Sequence, residues 1–253
     1  MIAKTQAVVL RTAPFSETSR MVTWFTADYG KITTSIRGSQ RPKSMFLGQY
    51  DLFYTCELLF YERERDNVHA IRECSPLNPR LILRDDWKAC AIASYLADLF
   101  LRISPARAYQ PGLFALLELG LDHAPLAALH PGVLFWYELK LLRAVGLAPR
   151  FQPPRQATSD GTWLLDLSRG GAIQSDESSA TEARHLCRLP DAALRRLIAW
   201  QEAETVDSAM QQALTPAEVR PLEQVMGQFL EYHLETPLRS RELALDLLHA
   251  EGS

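Results

Sequence analysis

Over roughly the first 75 residues short apolar segments are separated by polar turns, a pattern typical of β-strands. β-Branched residues are concentrated in the same segments, which favours strands further. Asp28, Tyr29 and Gly30 predict a hairpin turn, with Gly30 in the left-handed backbone region. The pattern predicts five strands, at residues 6–12, 20–26, 31–37, 49–61 and 67–73. Five short strands fit a small closed barrel, of the OB type or, as the alternative, of the SH3-like type.

After residue 79 the apolar spacing becomes helical. Pro76 and Pro79 are expected to end the β pattern, and a helix is predicted from Asp85 onward. One buried face of this helix is marked by Ile92, Tyr95, Leu96, Leu99 and Ile103. Further helices are predicted at 109–122, 131–145, 190–202, 216–235 and 240–249, and a small hairpin at 162–167 with 172–174. Thr215, Pro216 and Glu218 form a capping box with proline at the first helical position, which predicts where the helix at 216–235 begins.

The two patterns together predict an α+β protein with two domains. A five-stranded β-barrel is expected over residues 1-79, and an all-α helical domain over residues 80-253.

The charge is unevenly distributed between these domains. The whole chain has a formal net charge of −3. Residues 1–50 carry seven basic and two acidic side chains, a local balance of +5, which leaves −8 for the remainder. The positive field of such a barrel would attract the negatively charged phosphate backbone of a nucleic acid. The candidate DNA-binding residues are Arg20, Lys31, Arg37, Arg41 and Lys43. If all five contacted phosphates of a single strand, log affinity would fall against log salt with a slope of roughly −3.5.

Two sets of aromatic residues allow alternative interpretations. Tyr29, Phe46 and Tyr50 could stack on bases or belong to the barrel core. The helix at 131–145 is apolar on nearly every side, which is typical of the centre of a bundle. Part of it could instead form the floor of a groove with a basic rim at Lys140 and Arg143, suited to an acidic peptide that ends in an aromatic residue.

The sequence offers no catalytic constellation. The six histidines have no metal-protease or triad-like context, and the four cysteines form no C-x-x-C pair. Asp85 and Asp86 are expected to complement a helix dipole rather than to hold a metal. We therefore expect no enzyme activity and no cofactor. The longest apolar runs are shorter than the roughly 20 residues of a membrane span, so a cytoplasmic protein is expected.

Several segments resemble the RecO family of bacterial recombination mediators, and they occur in the family's order. Residues 7–12, 16–20, 25–31 and 37–44 resemble its opening, 137–149 its central helix and exit, and 229–240 its carboxyl-terminal signature. The resemblance implies an OB domain and a helical domain that carries a zinc-finger-like insertion, here at about residues 150-178.

The same resemblance implies function and partners. It implies a non-catalytic DNA repair protein that binds single- and double-stranded DNA and anneals complementary strands, at the nucleoid during repair. It also implies partnership with RecR and with the acidic tail of single-stranded-DNA-binding protein (SSB), for which Lys140 and Arg143 are the candidate contacts. Recombinase loading on SSB-coated DNA would follow from these contacts.

One departure from the family is expected to remove its zinc site. The positions of the family's cysteine pairs correspond to Pro154 and Ala157, and to Gln174 and Glu177, none of which is cysteine. The insertion should then be metal-free and held by apolar contacts, through Trp163, Leu165 and Ile173.

A second function remains open at this point. The barrel could serve as a protein-interaction adaptor whose basic loop binds an acidic protein partner rather than DNA.

Overall fold

The computed structural model describes residues 1–63, 68–104, 109–110, 112–151, 162–168, 170–174, 185–211 and 214–250. The chain divides into two units, Met1–Pro125 and Leu126–Ser253. In the first unit the barrel lies together with the helices that directly follow it. The domain boundary expected from the sequence, at residue 79, stays a prediction.

The first unit contains a closed five-stranded barrel, as the five predicted short strands indicate. Its strands are β1 (Ile2–Ser16), β2 (Ser19–Thr26), β3 (Gly30–Ile36), β4 (Thr55–Tyr61) and β5 (Val68–Asn78). Their order around the barrel is β1-β2-β3-β5-β4, and β4 pairs again with β1. Strands β3 and β5 pair in parallel, whereas the other neighbours are antiparallel. The OB-type interpretation is therefore confirmed, within an α+β fold.

The barrel core explains why these segments form strands. Along β3 the residues alternate between buried and half-buried, which places one side chain in two inside the barrel. Trp24 is fully buried, and its indole Nε1 donates a hydrogen bond of 2.9 Å to Oγ1 of Thr34. Gly30 has a φ of 63°, which confirms the predicted hairpin turn.

Several predicted strand ends differ from the structure. β1 runs from Ile2 to Ser16, beyond both ends of the predicted segment 6–12. β4 begins at Thr55 rather than at residue 49, because the preceding residues form a turn that ends with Phe53 at a φ of 68°. β5 continues through Asn78, so the predicted break at Pro76 is wrong. Pro76 is tolerated because it lies at the register shift between Thr55 and Cys56, where the ladder is already interrupted.

Four helices follow the barrel strands: α1 (Ile82–Asp85), α2 (Trp87–Ile103), α3 (Leu113–Asp122) and α4 (Ala124–Leu129), the last of which contains the boundary between the units. The side chain of Asp86 accepts hydrogen bonds of 3.0 Å from the backbone N–H groups of Lys88 and Ala89. Asp86 is thus the N-cap of α2, in agreement with its expected role at a helix start. The ring of Phe100 on α2 lies edge-on to Phe25 of the barrel, with centroids 5.6 Å apart.

The guanidinium of Arg80 connects the barrel to α3. Arg80 is only 7% exposed, and its Nη1 donates to the carbonyl of Phe53 at 2.7 Å and to Oγ1 of Thr55 at 2.9 Å. Its Nε donates to Oδ1 of Asp122 on α3 at 2.6 Å. A carbonyl, a hydroxyl and a carboxylate from three segments therefore converge on one buried cation.

In the second unit, the described residues form five helices after α4 and a small sheet. Helix α5 (Pro131–Ala144) precedes β6 (Thr162–Asp166), β7 (Gly171–Gln174) and β8 (Leu186–Pro190), which form an antiparallel sheet in the order β7-β6-β8. The remaining helices are α6 (Asp191–Glu202), α7 (Val206–Met210), α8 (Pro216–Leu234) and α9 (Arg239–His249). The predicted hairpin is confirmed, whereas β8 and α7 were missed. Among the described residues, no helix is both long and apolar enough to span a bilayer.

Helix α5 is central to this unit, as its apolar composition predicts. Ten of its residues are buried, and Trp136 donates a hydrogen bond from Nε1 to the carbonyl of Ala203 at 2.9 Å. Gly146 follows its last turn with a φ of 79°, as expected for a glycine that ends a helix. The start of α8 at Pro216 is also confirmed. The carboxylate of Glu218 accepts the backbone N–H and the hydroxyl of Thr215 at 2.8 and 2.7 Å.

A buried ion pair links α5 to α9. Glu138 is fully buried, and its carboxylate accepts two hydrogen bonds from Arg241, at 2.8 Å from Nε and at 3.2 Å from Nη2. The Nη1 of Arg241 donates to the carbonyl of Glu223 on α8 at 2.9 Å. Gly227 makes room for this side chain, since a Cβ atom there would lie 3.0 Å from Nη1.

The predicted insertion is only partly described. Trp163 and Leu165 on β6 are buried, and Trp163 donates from Nε1 to Oδ1 of Asp191 at 3.1 Å. The side chains of Ile173 and Gln174, and the positions Pro154, Ala157 and Glu177, lie outside the described residues. Within the part of the chain that the structure describes, no three histidine, cysteine or acidic side chains group together to hold a metal ion. The absence of zinc stays a prediction.

Replacing Arg241 with alanine is expected to lower the free energy of unfolding by about 3–5 kcal/mol, because the buried Glu138 carboxylate would lose its guanidinium partner. Urea unfolding followed by circular dichroism measures this change. Arg239→Ala is the matched control, since Arg239 is exposed on the same helix. The double variant Glu138→Leu with Arg241→Met should recover most of the loss, because it leaves no buried charge. A single-variant loss no larger than that of the control would contradict this role.

Candidate nucleic-acid interface

The segment between β3 and β4, residues 37–54, folds back over the hairpin that joins β1 and β2. The backbone N–H of Gln40 donates to the carbonyl of Thr18 at 3.1 Å, and that of Gly38 donates to the hydroxyl of Ser19 at 3.4 Å. Gly38 has a φ of 67°, a conformation that favours glycine and lets the chain reverse after β3. We call this segment the β3–β4 loop. Its attachment to the hairpin brings residues 16–20 and 37–43 into one neighbourhood.

Four of the five predicted DNA-binding residues belong to this neighbourhood. Arg37, Arg41 and Lys43 are exposed on the β3–β4 loop, and among the described residues no carboxylate forms an ion pair with any of them. Arg20 lies on β2 opposite Ile36, and its Nη2 donates to Oε1 of Gln40 at 3.4 Å. We call these four cations the basic surface: Arg20, Arg37, Arg41 and Lys43. Unpaired exposed cations of this kind attract a phosphate backbone at little desolvation cost.

Lys31 is not part of this surface. It lies at the other end of β3, and its ammonium donates to the carbonyls of Leu101 and Ser104 at 2.7 and 3.0 Å. These carbonyls stand at the carboxyl end of α2, where the helix dipole favours a cation. Burial lowers the pKa of Lys31. Two of its three donors are used within the unit, so we leave Lys31 out of the proposed contacts.

The aromatic residues considered as stacking platforms lie against the barrel core. Tyr29 meets Phe60 edge-on with centroids 5.6 Å apart, and Tyr50 meets Trp24 at 6.2 Å. Phe46 is half-buried against the same core. The core interpretation of these three residues therefore accounts for their positions.

This region also exposes three apolar side chains that were not predicted from the sequence. Phe15 is 63% exposed and Met45 is 66% exposed, and Leu47 is half exposed. Phe15 stands one residue before the turn between β1 and β2, and Met45 and Leu47 flank the inward-facing Phe46. The alternation around Phe46 was a pattern from which their exposure could have been predicted. Exposed apolar side chains beside cations are suited to contact with unstacked bases.

Lys140 and Arg143, the predicted contacts for an acidic tail, lie on α5 in the second unit. The Nζ of Lys140 lies 5.7 Å from the centre of the Trp136 ring, and Arg143 is exposed on the next turn of the helix. Burial lowers the pKa of Lys140 and the charge of Arg143 lowers it further, while Glu204 acts in the opposite direction. An added carboxylate near both cations would relieve their mutual repulsion.

Comparisons with known proteins are consistent across the chain. A family model described as Recombination protein O N terminal matches residues 1–80, and one described as Recombination protein O C terminal matches residues 84–242. The DNA repair protein RecO of Salinibacter ruber is 28% identical over 246 residues, covering 96% of this chain and 93% of that protein. The proteins of the same name from Anaeromyxobacter dehalogenans and Exiguobacterium sibiricum are 29% and 28% identical. They cover 94% and 98% of this chain, and the same shares of their own lengths.

Lys31→Met is expected to lower the free energy of unfolding by about 1.5–3 kcal/mol, because two carbonyls at the end of α2 lose a charged donor. Its DNA affinity should stay near that of the unmodified protein. Lys43→Met is the matched control and should behave in the opposite way, with unchanged stability and weaker DNA binding. Urea unfolding and fluorescence anisotropy of a labelled oligonucleotide measure the two effects. If Lys31→Met weakened DNA binding without changing stability, Lys31 would be a DNA contact and its structural role would be contradicted.

Proposed function

Since the chain belongs to the RecO family of DNA repair proteins, we propose that it binds single- and double-stranded DNA through the basic surface and anneals complementary strands. DNA repair is the function that the family relationship supports. The proposal of DNA binding rests on the basic surface, because the exposed Arg37, Arg41 and Lys43 and the half-buried Arg20 have no carboxylate partner among the described residues.

The proposed mechanism is charge neutralisation. Two complementary strands repel each other through their phosphates, and this repulsion opposes the first contacts between their bases. Cations on one surface release condensed counterions from both strands and hold them close together. Exposed Phe15 and Met45 offer apolar contact to unstacked bases without selecting a sequence. The mechanism makes and breaks no covalent bond, so we propose a non-catalytic protein that acts in the cytoplasm, at the nucleoid.

We further propose that the protein works with RecR and with SSB during recombinase loading. The acidic tail of SSB would bind near Lys140 and Arg143, which present two cations one helical turn apart beside Trp136. A contact with SSB would bring the basic surface to strands that SSB already covers.

The alternative is an adaptor whose basic surface binds an acidic protein partner. The exposed apolar residues Phe15, Met45 and Leu47 favour this alternative to some extent, because a peptide with acidic and apolar residues would match them. The two functions differ in whether the basic surface binds DNA at all.

Reversing the charges of Arg37, Arg41 and Lys43 to glutamate is expected to abolish DNA binding. For the unmodified protein, log affinity for a single strand should fall against log salt with a slope of roughly −2.8, at about −0.7 for each of four phosphate contacts. Anisotropy titrations at several salt concentrations measure both quantities.

The matched control reverses Lys4, Arg72 and Arg102, which are exposed cations of the same unit that form ion pairs on the surface. It changes the net charge equally and should retain most of the DNA affinity. Equal losses in the two triple variants, or a slope near zero, would contradict the proposed surface. An unmodified protein that does not bind DNA would favour the adaptor.

The purified protein is expected to accelerate the annealing of complementary oligonucleotides coated with SSB, and added salt should reduce the acceleration. Lys140→Glu with Arg143→Glu should slow annealing on coated strands while leaving it unchanged on bare strands. Quenching of a fluorophore pair on the two strands follows the rate. No acceleration on bare strands would refute annealing, and an equal loss on both substrates would refute the proposed SSB contact.

A further inference from the structure

A small cavity lies beneath the basic surface, between the β3–β4 loop and the strands below it. Its volume is about 170 Å³. Its polar wall is formed by Thr12, Arg20, Ser39, Gln40, Tyr50 and Asp51. The cavity is smaller than the roughly 300 Å³ of sites that enclose drug-sized ligands. It is nevertheless larger than a single water molecule, whose share of liquid volume is about 30 Å³. Its size therefore suits one small polar group.

Ser39 is the unusual residue in this wall. It is only 2% exposed, and its hydroxyl Oγ has no hydrogen-bond partner among the described residues. The hydroxyl of Tyr50 lies near that of Ser39, but outside hydrogen-bonding geometry. A buried hydroxyl without a partner is unfavourable, and native structures rarely retain one without a reason. A bound group that accepts its hydrogen would remove this penalty.

Arg20, Gln40 and Tyr50 can donate hydrogen bonds into the cavity as well. Arg20 uses Nη2 for a long hydrogen bond of 3.4 Å to Oε1 of Gln40. This contact leaves the other guanidinium N–H groups, and the amide N–H₂ of Gln40, for a further acceptor. Burial raises the pKa of Tyr50, so its phenol stays protonated and can donate at neutral pH. One cation and three neutral donors therefore line this space.

Asp51 is the one carboxylate in the wall, and its charge is already balanced. Its Oδ2 lies 3.0 Å from Nη2 of Arg84, and its Oδ1 accepts the backbone N–H of Leu52 at 2.9 Å. These contacts weaken the repulsion that Asp51 would otherwise exert on an anion in the cavity.

We propose that this cavity binds one phosphate group of a nucleic-acid backbone, with Arg20, Ser39, Gln40 and Tyr50 as its hydrogen-bond donors. The inference rests on the proposed DNA-binding function and adds a defined site to it. Arg37, Arg41 and Lys43 attract the strand from solvent, whereas the cavity fixes the position of one phosphate. A phosphate offers several acceptor oxygens and one negative charge, which matches one cation and three neutral donors.

Ser39→Ala tests the site, because it removes one donor and changes neither charge nor shape elsewhere. The affinity for a single-stranded oligonucleotide should fall about tenfold, the effect of one hydrogen bond to a charged group. The slope of log affinity against log salt should not change. Arg20→Gln should reduce both the affinity and the slope, the latter by about 0.7. The melting temperature of Ser39→Ala should equal or exceed that of the unmodified protein, since the lost hydroxyl had no partner.

Ser16→Ala is the matched control, because Ser16 is exposed on the adjacent β1–β2 hairpin and does not line the cavity. An affinity of Ser39→Ala equal to that of this control would overturn the phosphate site while leaving the basic surface intact. If the unmodified protein bound no DNA, the proposed function itself would fail.

Free phosphate is the other source of the same group. Inorganic phosphate should displace the oligonucleotide from the unmodified protein no better than chloride at equal ionic strength, if the site requires the strand. Stronger displacement that Ser39→Ala abolishes would assign the cavity to free phosphate and overturn the backbone contact.

Discussion

A buried guanidinium must be surrounded by acceptors, and this requirement determines how each unit of the protein is assembled. Removing an ion from water is so unfavourable that the fold must supply a carboxylate and further acceptors in a fixed geometry. In the first unit, Nε and Nη1 of Arg80 meet the requirement with Asp122, Thr55 and the carbonyl of Phe53, whereas Nη2 has only the carboxylate of Glu118 at 3.7 Å. Arg241 meets it in the second unit with Glu138 and the carbonyl of Glu223. Each arginine specifies which strand end or helix lies beside which, more narrowly than apolar contacts alone would.

The Arg80 cluster also determines the shape of the β3–β4 loop. Phe53 and Arg80 have positive φ values of 68° and 43°, which side chains of this size adopt at an energetic cost. The hydrogen bond from Arg80 to the carbonyl of Phe53 stabilises this end of the loop, and Phe53 also donates its N–H to Val9 on β1. The other end is attached to the β1–β2 hairpin through Gly38 and Gln40. The loop is thus attached at both ends, and Arg41 and Lys43 lie between or beside these attachments without an ion-pair partner among the described residues.

Sequence patterns predicted the elements well where one face had to be buried, and poorly where a single polar contact decided the outcome. The barrel strands were predictable because β-branched and apolar residues are concentrated in short segments between turns, and the central position of α5 because the helix is apolar on nearly every side. Lys31 was assigned to the DNA surface because no local pattern shows that a helix 70 residues later ends beside it. Whether Tyr50 belongs to the core could not be predicted for the same reason, since its contact with Trp24 connects a loop to a strand. β8 was missed because it is only five residues long and follows residues without a clear period.

The cations of the barrel can be divided by what neutralises them, and this division connects the fold to the proposed function. Lys4 forms an ion pair with Glu57, and Lys31 lies on the carbonyls at the end of a helix. Their charges stabilise contacts within the unit and contribute little to the field outside it. Among the described residues, Arg37, Arg41 and Lys43 have no such partner, although they stand on a loop that the fold holds in place. A fold gains nothing from unpaired like charges kept close together, because they repel one another. Their arrangement is therefore best explained by an anion that comes from outside, and a phosphate backbone supplies the regularly spaced charges that such a surface can bind.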